Sequence, residues 1–250
     1  MIYAYCNVSV APLRKDADDR SEIISQLLFG ESCLILNNKE NWSNIRCTID
    51  GYEAWIDTKQ ITETSKQLES QHTVFELVHS YVFKDFHIPI LLGSSLPNFD
   101  GLNFKIENQK YLFQGISLEN NLSNLENIKK IALKYLHAPY LWGGRSPFGI
   151  DCSGLTQMVY KFLNINLPRD AYQQAKIGKN VGFLEESKIG DLAFFGKEEK
   201  ITHVGIIIGK NEIIHASGKV RIDTIDHLGI YNNETNKYTH KLKIIKRISH

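Results

Sequence analysis

The sequence predicts an all-β amino-terminal region followed by an α+β domain whose helices precede an antiparallel sheet. Three observations carry this reading. Short apolar runs broken by turn signals fill the first sixty residues, a helical period takes over near Asn121, and strand-like text resumes at Asp191.

In the first stretch, VSVAPLR, IISQLLFGESCLILN, WSNIRCTIDGYEAWID and QIT are punctuated by pairs such as Phe29-Gly30 and Asp50-Gly51. That spacing suits a small β-barrel over residues 1–62. Residues 64–71 are polar and aperiodic, as a connection would be. Beyond them ILLGSS, LNFKIENQKYLFQGIS and the Pro97-Asn98-Phe99-Asp100-Gly101 turn suggest a second, degenerate module over residues 63–118. One larger irregular β-domain across residues 1–118 is the competing parse.

The remainder, residues 119–250, opens with Leu125, Ile128, Ala132, Tyr135 and Leu136 at helical spacing. Ser123 and Asn124 are its cap candidates and Pro139 its stop. A second helix is expected to start at or just after Cys152, with Leu155, Val159, Phe162 and Leu163 as its apolar stripe and Asn164 at its close. A third is expected over residues 170–177, ending at Gly178. Then come DLAFFG, THVGIIIG, NEIIHASG, VRIDTI and KLKIIKRI, with Gly209 and Asn211 in the first hairpin turn.

The 250 residues carry a formal net charge of +1, are 42% hydrophobic and 23% charged, and so fit neither a disordered chain nor a nucleic-acid binder. The start MIYAYCNVSVAPLRKDADD has no basic leader, no sustained apolar stretch and no cleavage site of small residues. Nowhere do eighteen apolar residues run together. The expectation is a soluble, cytoplasmic chain with no membrane partner, or an exported one if a leader has been trimmed.

Four cysteines, Cys6, Cys33, Cys47 and Cys152, form no C-x-x-C pair, which argues against a zinc or redox motif. Cys33 and Cys47 sit in strand text, where a thiol is usually a small buried hydrophobe. Cys152 differs. It stands among small and polar residues, Gly149-Ile150-Asp151-Cys152-Ser153-Gly154, at the expected start of a helix. There the unpaired backbone N–H groups favour thiolate and can hold an oxyanion.

Of nine histidines, His203 and His215 each interrupt an apolar strand, and neighbouring strands can bring them together. One imidazole then serves as base to the thiol and the other fixes its tautomer. Spacing alone leaves structural or metal-binding histidines as alternatives.

The segment YLWGGRSPFGIDCSG (residues 140–154), followed by LPRD (167–170), GDLAFF (190–195), THVG (202–205) and IHAS (214–217), resembles the NlpC-type cysteine peptidases of bacterial cell-wall peptides. The first sixty residues, with Leu27-Leu28-Phe29-Gly30-Glu31, Trp42 and Asp50-Gly51-Tyr52-Glu53-Ala54-Trp55-Ile56, resemble the bacterial SH3-like domains that accompany cell-wall enzymes. The whole pattern is similar to that of γ-D-glutamyl-L-diamino acid endopeptidases. The resemblance implies an α+β papain-like (NlpC-type) catalytic domain preceded by all-β SH3-like barrel domains. It also implies a triad of Cys152, His203 and His215. Tyr140 matches a tyrosine that assists the oxyanion site, with buried packing as its plainer role.

Trp142, Asp151, Ser153, Arg169 and Asp170 match positions that line the substrate cleft in relatives. Core packing for Trp142 and an ordinary ion pair at a helix start for Arg169 and Asp170 are the plainer alternatives. Relatives often carry Ser where this chain has Ala171, so a side-chain hydrogen bond from that position is missing. Glu22 and Tyr52 match residues that bind the free amino end of the peptide in similar endopeptidases. A solvated charge and a turn aromatic are the plainer readings.

The implied reaction is cleavage of the γ-D-glutamyl-L-diamino acid bond of a murein tripeptide or tetrapeptide, in peptide recycling, by a monomer that needs no metal or organic cofactor. Two rivals stand beside it: a wall-remodelling or wall-binding protein anchored by its SH3-like modules, and an amidase or acyltransferase using the same thiol.

Overall fold

The computed structural model describes residues 2–121 and 126–248. The first sixty residues form strands β1 (Ile2–Cys6), β2 (Val10–Arg14), β3 (Ile23–Leu28), β4 (Ser32–Lys39), β5 (Trp42–Cys47), β6 (Glu53–Asp57) and β7 (Ile61–Thr64). They make one antiparallel sheet in the order β3-β2-β6-β5-β4-β1-β7. Alternation along the strands turns Ala11, Leu13, Ile45 and Ile56 into a common core and their neighbours outward. Cys33 and Cys47 face each other across β4 and β5 in that core as free thiols. Burial pushes Cys33 up to about 12, so it behaves as a small hydrophobe.

Next come β8 (His72–Val74), β9 (Val78–Phe83), β10 (Phe86–Leu91), β11 (Asn103–Ile106), β12 (Gln109–Leu112) and β13 (Ser117–Glu119). Four of them pair in the order β10-β9-β12-β11, and β13 pairs with β8. Their core is aromatic, with Tyr81, Phe104 and Phe113 at its centre, and it takes in Tyr5 and Phe29 from the first sheet. Two sheets thus share one apolar seam.

The third part carries α1 (Ile128–Leu133), the short pair β14 (Arg145–Ser146) and β15 (Gly149–Ile150), α2 (Cys152–Lys161) and α3 (Ala171–Gln174). Strands β16 (Lys179–Val181), β17 (Leu192–Lys197), β18 (Lys200–Gly209), β19 (Glu212–Ser217), β20 (Lys219–Ile225), β21 (Gly229–Asn232) and β22 (Lys237–Arg247) follow. Their order is β16-β22-β17-β18-β19-β20-β21, and β22 also pairs with β21, so six strands close on themselves. Alternate residues serve two cores. Phe194, Ile206 and Ile214 pack against Leu155 and Val159 of α2, while Phe195, Ile207 and Ile213 fill the opposite face.

Two helices are shorter than their periodicity suggests. α1 stops at Leu133 and does not reach Pro139, because tight i→i−3 hydrogen bonds follow and His137 adopts a left-handed φ of 67°. The cap candidates Ser123 and Asn124, and Leu125, lie outside the described residues. α3 ends at Gln174 rather than near Ile177, although its start at Asp170 and Gly178 at positive φ agree with expectation. α2 begins at Cys152, and Asn164 closes its last turn at a φ of 60°.

The β region and the third part are joined by buried charge. Glu31 accepts from Arg145 Nη1 at 2.8 Å and Nη2 at 3.0 Å, and from Lys161 Nζ at 2.8 Å. Arg145 also binds the backbone oxygen of Gln26, and its own backbone N–H donates to the Gln26 side chain. Against its burial, these two cations hold Glu31 down at about 2.

Candidate active site

The site is built where α2 starts. Asp151 caps the helix by accepting the Gly154 N–H at 2.7 Å, and its other oxygen accepts the Gly143 N–H at 2.9 Å. Arg169 donates to both oxygens and to Ser153 Oγ, and its Nε reaches Ser25 Oγ on β3 at 3.1 Å. Gly143 has a φ of +78°, and a Cβ there would meet the Ile23 carbonyl at 2.4 Å. Only glycine lets this loop lie so close to β3. The contact brings Trp142 over the β region, where its indole Nε1 donates to Glu22 at 2.7 Å.

Cys152 is the first residue of α2, and its sulfur receives the backbone N–H groups of Ser153 and of Val204, the residue after His203. Burial pushes the thiol up to about 12, Asp151 adding to the rise, and the two N–H groups pull the other way. His203 precedes Val204 on β18, and His215 stands on the neighbouring strand β19. His203 Nε2 stands 2.8 Å from His215 Nδ1, and His215 Nε2 stands 3.1 Å from Asp223 Oδ2 on β20.

This chain of contacts fixes protons. The Asp223 carboxylate accepts only, so His215 carries its proton on Nε2 and presents a bare Nδ1. His203 then donates from Nε2, which leaves its Nδ1 as the free base. Burial raises Asp223, but hydrogen bonds from His215, Arg221 and the Asn233 backbone win and hold it well below the usual carboxylate range. Burial, with His215 and His240 alongside, pushes His203 well below the usual imidazole range. Both shifts favour the neutral thiol and the neutral imidazole.

Tyr140 leaves its phenol half-exposed near the sulfur, where burial, Cys152 and Asp151 push it up to about 12. It stays a neutral hydroxyl able to donate to an oxyanion.

A cavity of about 660 Å³ opens on the sulfur. Glu22 and Tyr52 line it from the β region; Trp142, Asp151, Ser153, Arg169 and Asp170 line it from the catalytic half. All seven residues expected to bind substrate thus share one space with Cys152. They differ in freedom. Arg169 pairs with Asp151 rather than with Asp170, and both groups are buried. Glu22 is exposed and, among the described residues, forms no ion pair; its close partner is the neutral indole. The Ala171 methyl lines the same cavity, as does Lys15, which sequence reading did not single out.

The NlpC/P60 family profile matches residues 137–239, and that of the bacterial dipeptidyl-peptidase Sh3 domain matches residues 13–61. A gamma-D-glutamyl-L-lysine dipeptidyl-peptidase of Bacillus subtilis is 32% identical over 215 residues, covering 78% of this chain and 72% of the relative. The chain belongs to the NlpC/P60 family. It is built as an SH3-like β domain followed by an NlpC/P60 cysteine peptidase domain of the cell-wall class. A protein of the same name from Bacillus cereus is 26% identical over 229 residues, covering 78% of this chain and 68% of the relative. The crystal structure of a Bacillus cereus NlpC/P60 family protein superposes with a TM-score of 0.81 at 20% identity, covering 98% of this chain and 99% of the other. An NlpC/P60 endopeptidase from Photobacterium damselae subsp. piscicida gives 0.69 at 16% identity, over 97% and 70% of the two chains.

Besides Lys15, two residues close to His203 escaped sequence reading. Asp223 had a signal, since it and Arg221 are charges spaced by two in an apolar strand, and Arg221 is the register partner of His215. His240, stacked on His203 with ring centroids 4.1 Å apart, had none, because one histidine at a strand start is unremarkable text.

Proposed function

We propose that this chain is a γ-D-glutamyl-L-diamino acid endopeptidase acting on released murein peptides that begin with a free L-Ala. The carrying observation is the cavity in which the β-region residues Glu22 and Tyr52 face the sulfur of Cys152. A peptide held by its amino end at Glu22 presents its second residue to the nucleophile. The names of the two Bacillus relatives, dipeptidyl-peptidases acting beside γ-D-glutamate, support the same length of product.

In this reading the Cys152 proton passes to His203 Nδ1 as sulfur bonds to the γ-carbonyl carbon of D-Glu. The backbone N–H of Cys152 and the Tyr140 hydroxyl stabilise the oxyanion. The C–N bond then breaks, His203 returns the proton to the leaving amine, and water activated by the same imidazole hydrolyses the thioester. His215 orients His203, and Arg169, Asp151 and Ser153 hold the helix start in place. Trp142, Tyr52 and Asp170 shape the walls around the peptide.

Glu22 is the exposed acid able to take an ammonium, since Asp151 already serves the Gly143 and Gly154 N–H groups and Arg169, and Asp170 is partly buried at the start of α3. An N-acetyl group or a muramic acid amide removes that positive charge. Since Glu22 is exposed in the free chain, the loss is that of one charge-assisted hydrogen bond, about 1.5–3 kcal/mol, or about ten- to a hundredfold in kcat/KM. The experiment compares L-Ala-γ-D-Glu-diamino acid with its N-acetyl form. The free peptide is expected to win by that factor, and Glu22→Gln to narrow the gap. Equal rates on both would sink the free-amine reading and return wall remodelling to the front.

A further inference from the structure

His240 stands on β22, half-buried, and has no part in the proton chain from Asp223 to His203. Its ring stacks on His203 at 4.1 Å and lies 5.7 Å from His215, centroid to centroid. One nitrogen from each of His203, His215 and His240 lies within 4.8 Å of the others. A tetrahedral ion with metal–nitrogen bonds of about 2.0–2.1 Å needs such atoms about 3.3 Å apart, a closing motion within reach of side-chain rotation. The His203–His215 pair is already at 2.8 Å and must open slightly, and His240 must tilt out of its stack.

It has room to do so. His240 lines a second cavity of about 450 Å³ with Thr202, Leu228 and Tyr238, and Thr202 also lines the substrate cleft. That cavity gives an ion a path to His240. Asp223 on the far nitrogen of His215 supplies the carboxylate that metal-bound imidazoles commonly carry behind them.

We infer that His203, His215 and His240 form a three-histidine site for a borderline divalent cation of the zinc class, and that its occupation switches the peptidase off. The chemistry of the switch is independent of which nitrogen of His203 binds. At Nδ1 the ion takes the lone pair that receives the thiol proton. At Nε2 it forces the ring's one proton onto Nδ1, with the same result. The binding step stands by itself; the inhibition rests on His203 being the base.

The test separates the two. Cys152→Ala removes the sulfur, which would otherwise offer zinc an ordinary thiolate site. This variant is titrated with Co²⁺, read by its visible absorption, and with Zn²⁺ by calorimetry. One ion per chain is expected, with visible bands of a nitrogen-ligated tetrahedral cobalt site, and adding His240→Ala should weaken binding at least tenfold. His240→Phe, which keeps a stacked ring and loses the ligand, should weaken it equally and guards against misfolding of the alanine variant. With Cys152 restored, zinc should inhibit hydrolysis reversibly to chelator. Relative to each variant's zinc-free rate, loss of His240 should raise the half-inhibitory zinc concentration at least tenfold. No ion bound by Cys152→Ala, or equal binding with and without His240, overturns the site. Binding that leaves hydrolysis untouched overturns the switch.

Discussion

Two buried polar chains run through this molecule, and they are built on opposite principles. In the first, Glu31 lies between Arg145 and Lys161, every charge is met by an opposite one, and all three side chains are nearly inaccessible. In the second, charge is confined to Asp223 and its Arg221 partner, and from there inward come two imidazoles, His215 and His203. Moving a proton within the first chain would strand a buried charge, at several kcal/mol. Within the second, a proton can pass between neutral neighbours and leave the far carboxylate to stabilise the cation that forms. A paired cluster fixes one domain against another; a neutral acid–base chain ending in a cavity is equipped for chemistry.

The largest effects should therefore fall on different observables. Cys152→Ala is expected to lower turnover by at least about 10⁴-fold with an unchanged melting temperature, since one small residue replaces another at a helix start. Glu31→Gln leaves Arg145 and Lys161 buried without a full counter-charge and should cost about 3–5 kcal/mol of stability, with kcat per folded molecule retained. Thermal unfolding and active-site-titrated rates on both variants decide this. A Glu31→Gln protein as stable as wild type would show that the cluster contributes little, and hydrolysis by folded Cys152→Ala would remove Cys152 as nucleophile.

The same contrast explains what could be read from the sequence. Cys152, His203 and His215 sit in short stretches whose local text is odd, a thiol among small polar residues and histidines inside apolar strands. The order of helices and strands was visible because α2 and β17–β20 bury one face each and repeat at their own periods. The Glu31 cluster was invisible, because Glu31 stands over a hundred positions from both Arg145 and Lys161 and each is unremarkable locally. α1 and α3 read too long, since their apolar spacing continues after the backbone has tightened into turns. His240 and the Trp142–Glu22 contact needed the closed strand ring and the loop at Gly143 before they could be seen.

A smaller effect tests the second chain at its outer end. In Asp223→Asn the amide can donate to His215 Nε2, which moves the His215 proton to Nδ1 and turns it against His203. His203 must then carry its own proton on Nδ1, facing the thiol. A loss of about ten- to a hundredfold in kcat is expected, short of the roughly 10⁴-fold known where the carboxylate touches the base directly. KM should change little. Because the Arg221 pair is also broken, melting temperature is measured in parallel, and Asp223→Glu should recover part of the rate. Full activity in Asp223→Asn would make Asp223 a partner of Arg221 alone.

The smallest expected signal is a separation of pH limits, measured in chelator to keep the histidines metal-free. His203 lies well below the usual imidazole range because it is buried, so the free enzyme keeps its base at pH values where an ordinary histidine is protonated. The acid limb of kcat/KM should then lie below pH 6.5, falling as pH drops through the lowered value. The thiol, pushed up to about 12, contributes no limb near neutrality. Stability follows another group. Glu31 at about 2 in the folded chain titrates near 4.5 when unfolded, so below pH 4.5 the unfolded chain binds the extra proton. The Glu31 contribution is fully present above pH 4.5 and is lost as pH falls towards about 2. Melting temperature against pH and kcat/KM against pH should thus bend at different places. A kcat/KM limb at pH 6.5 or higher would mean that His203 is not held neutral, and would erase the distinction between the two chains at its functional end.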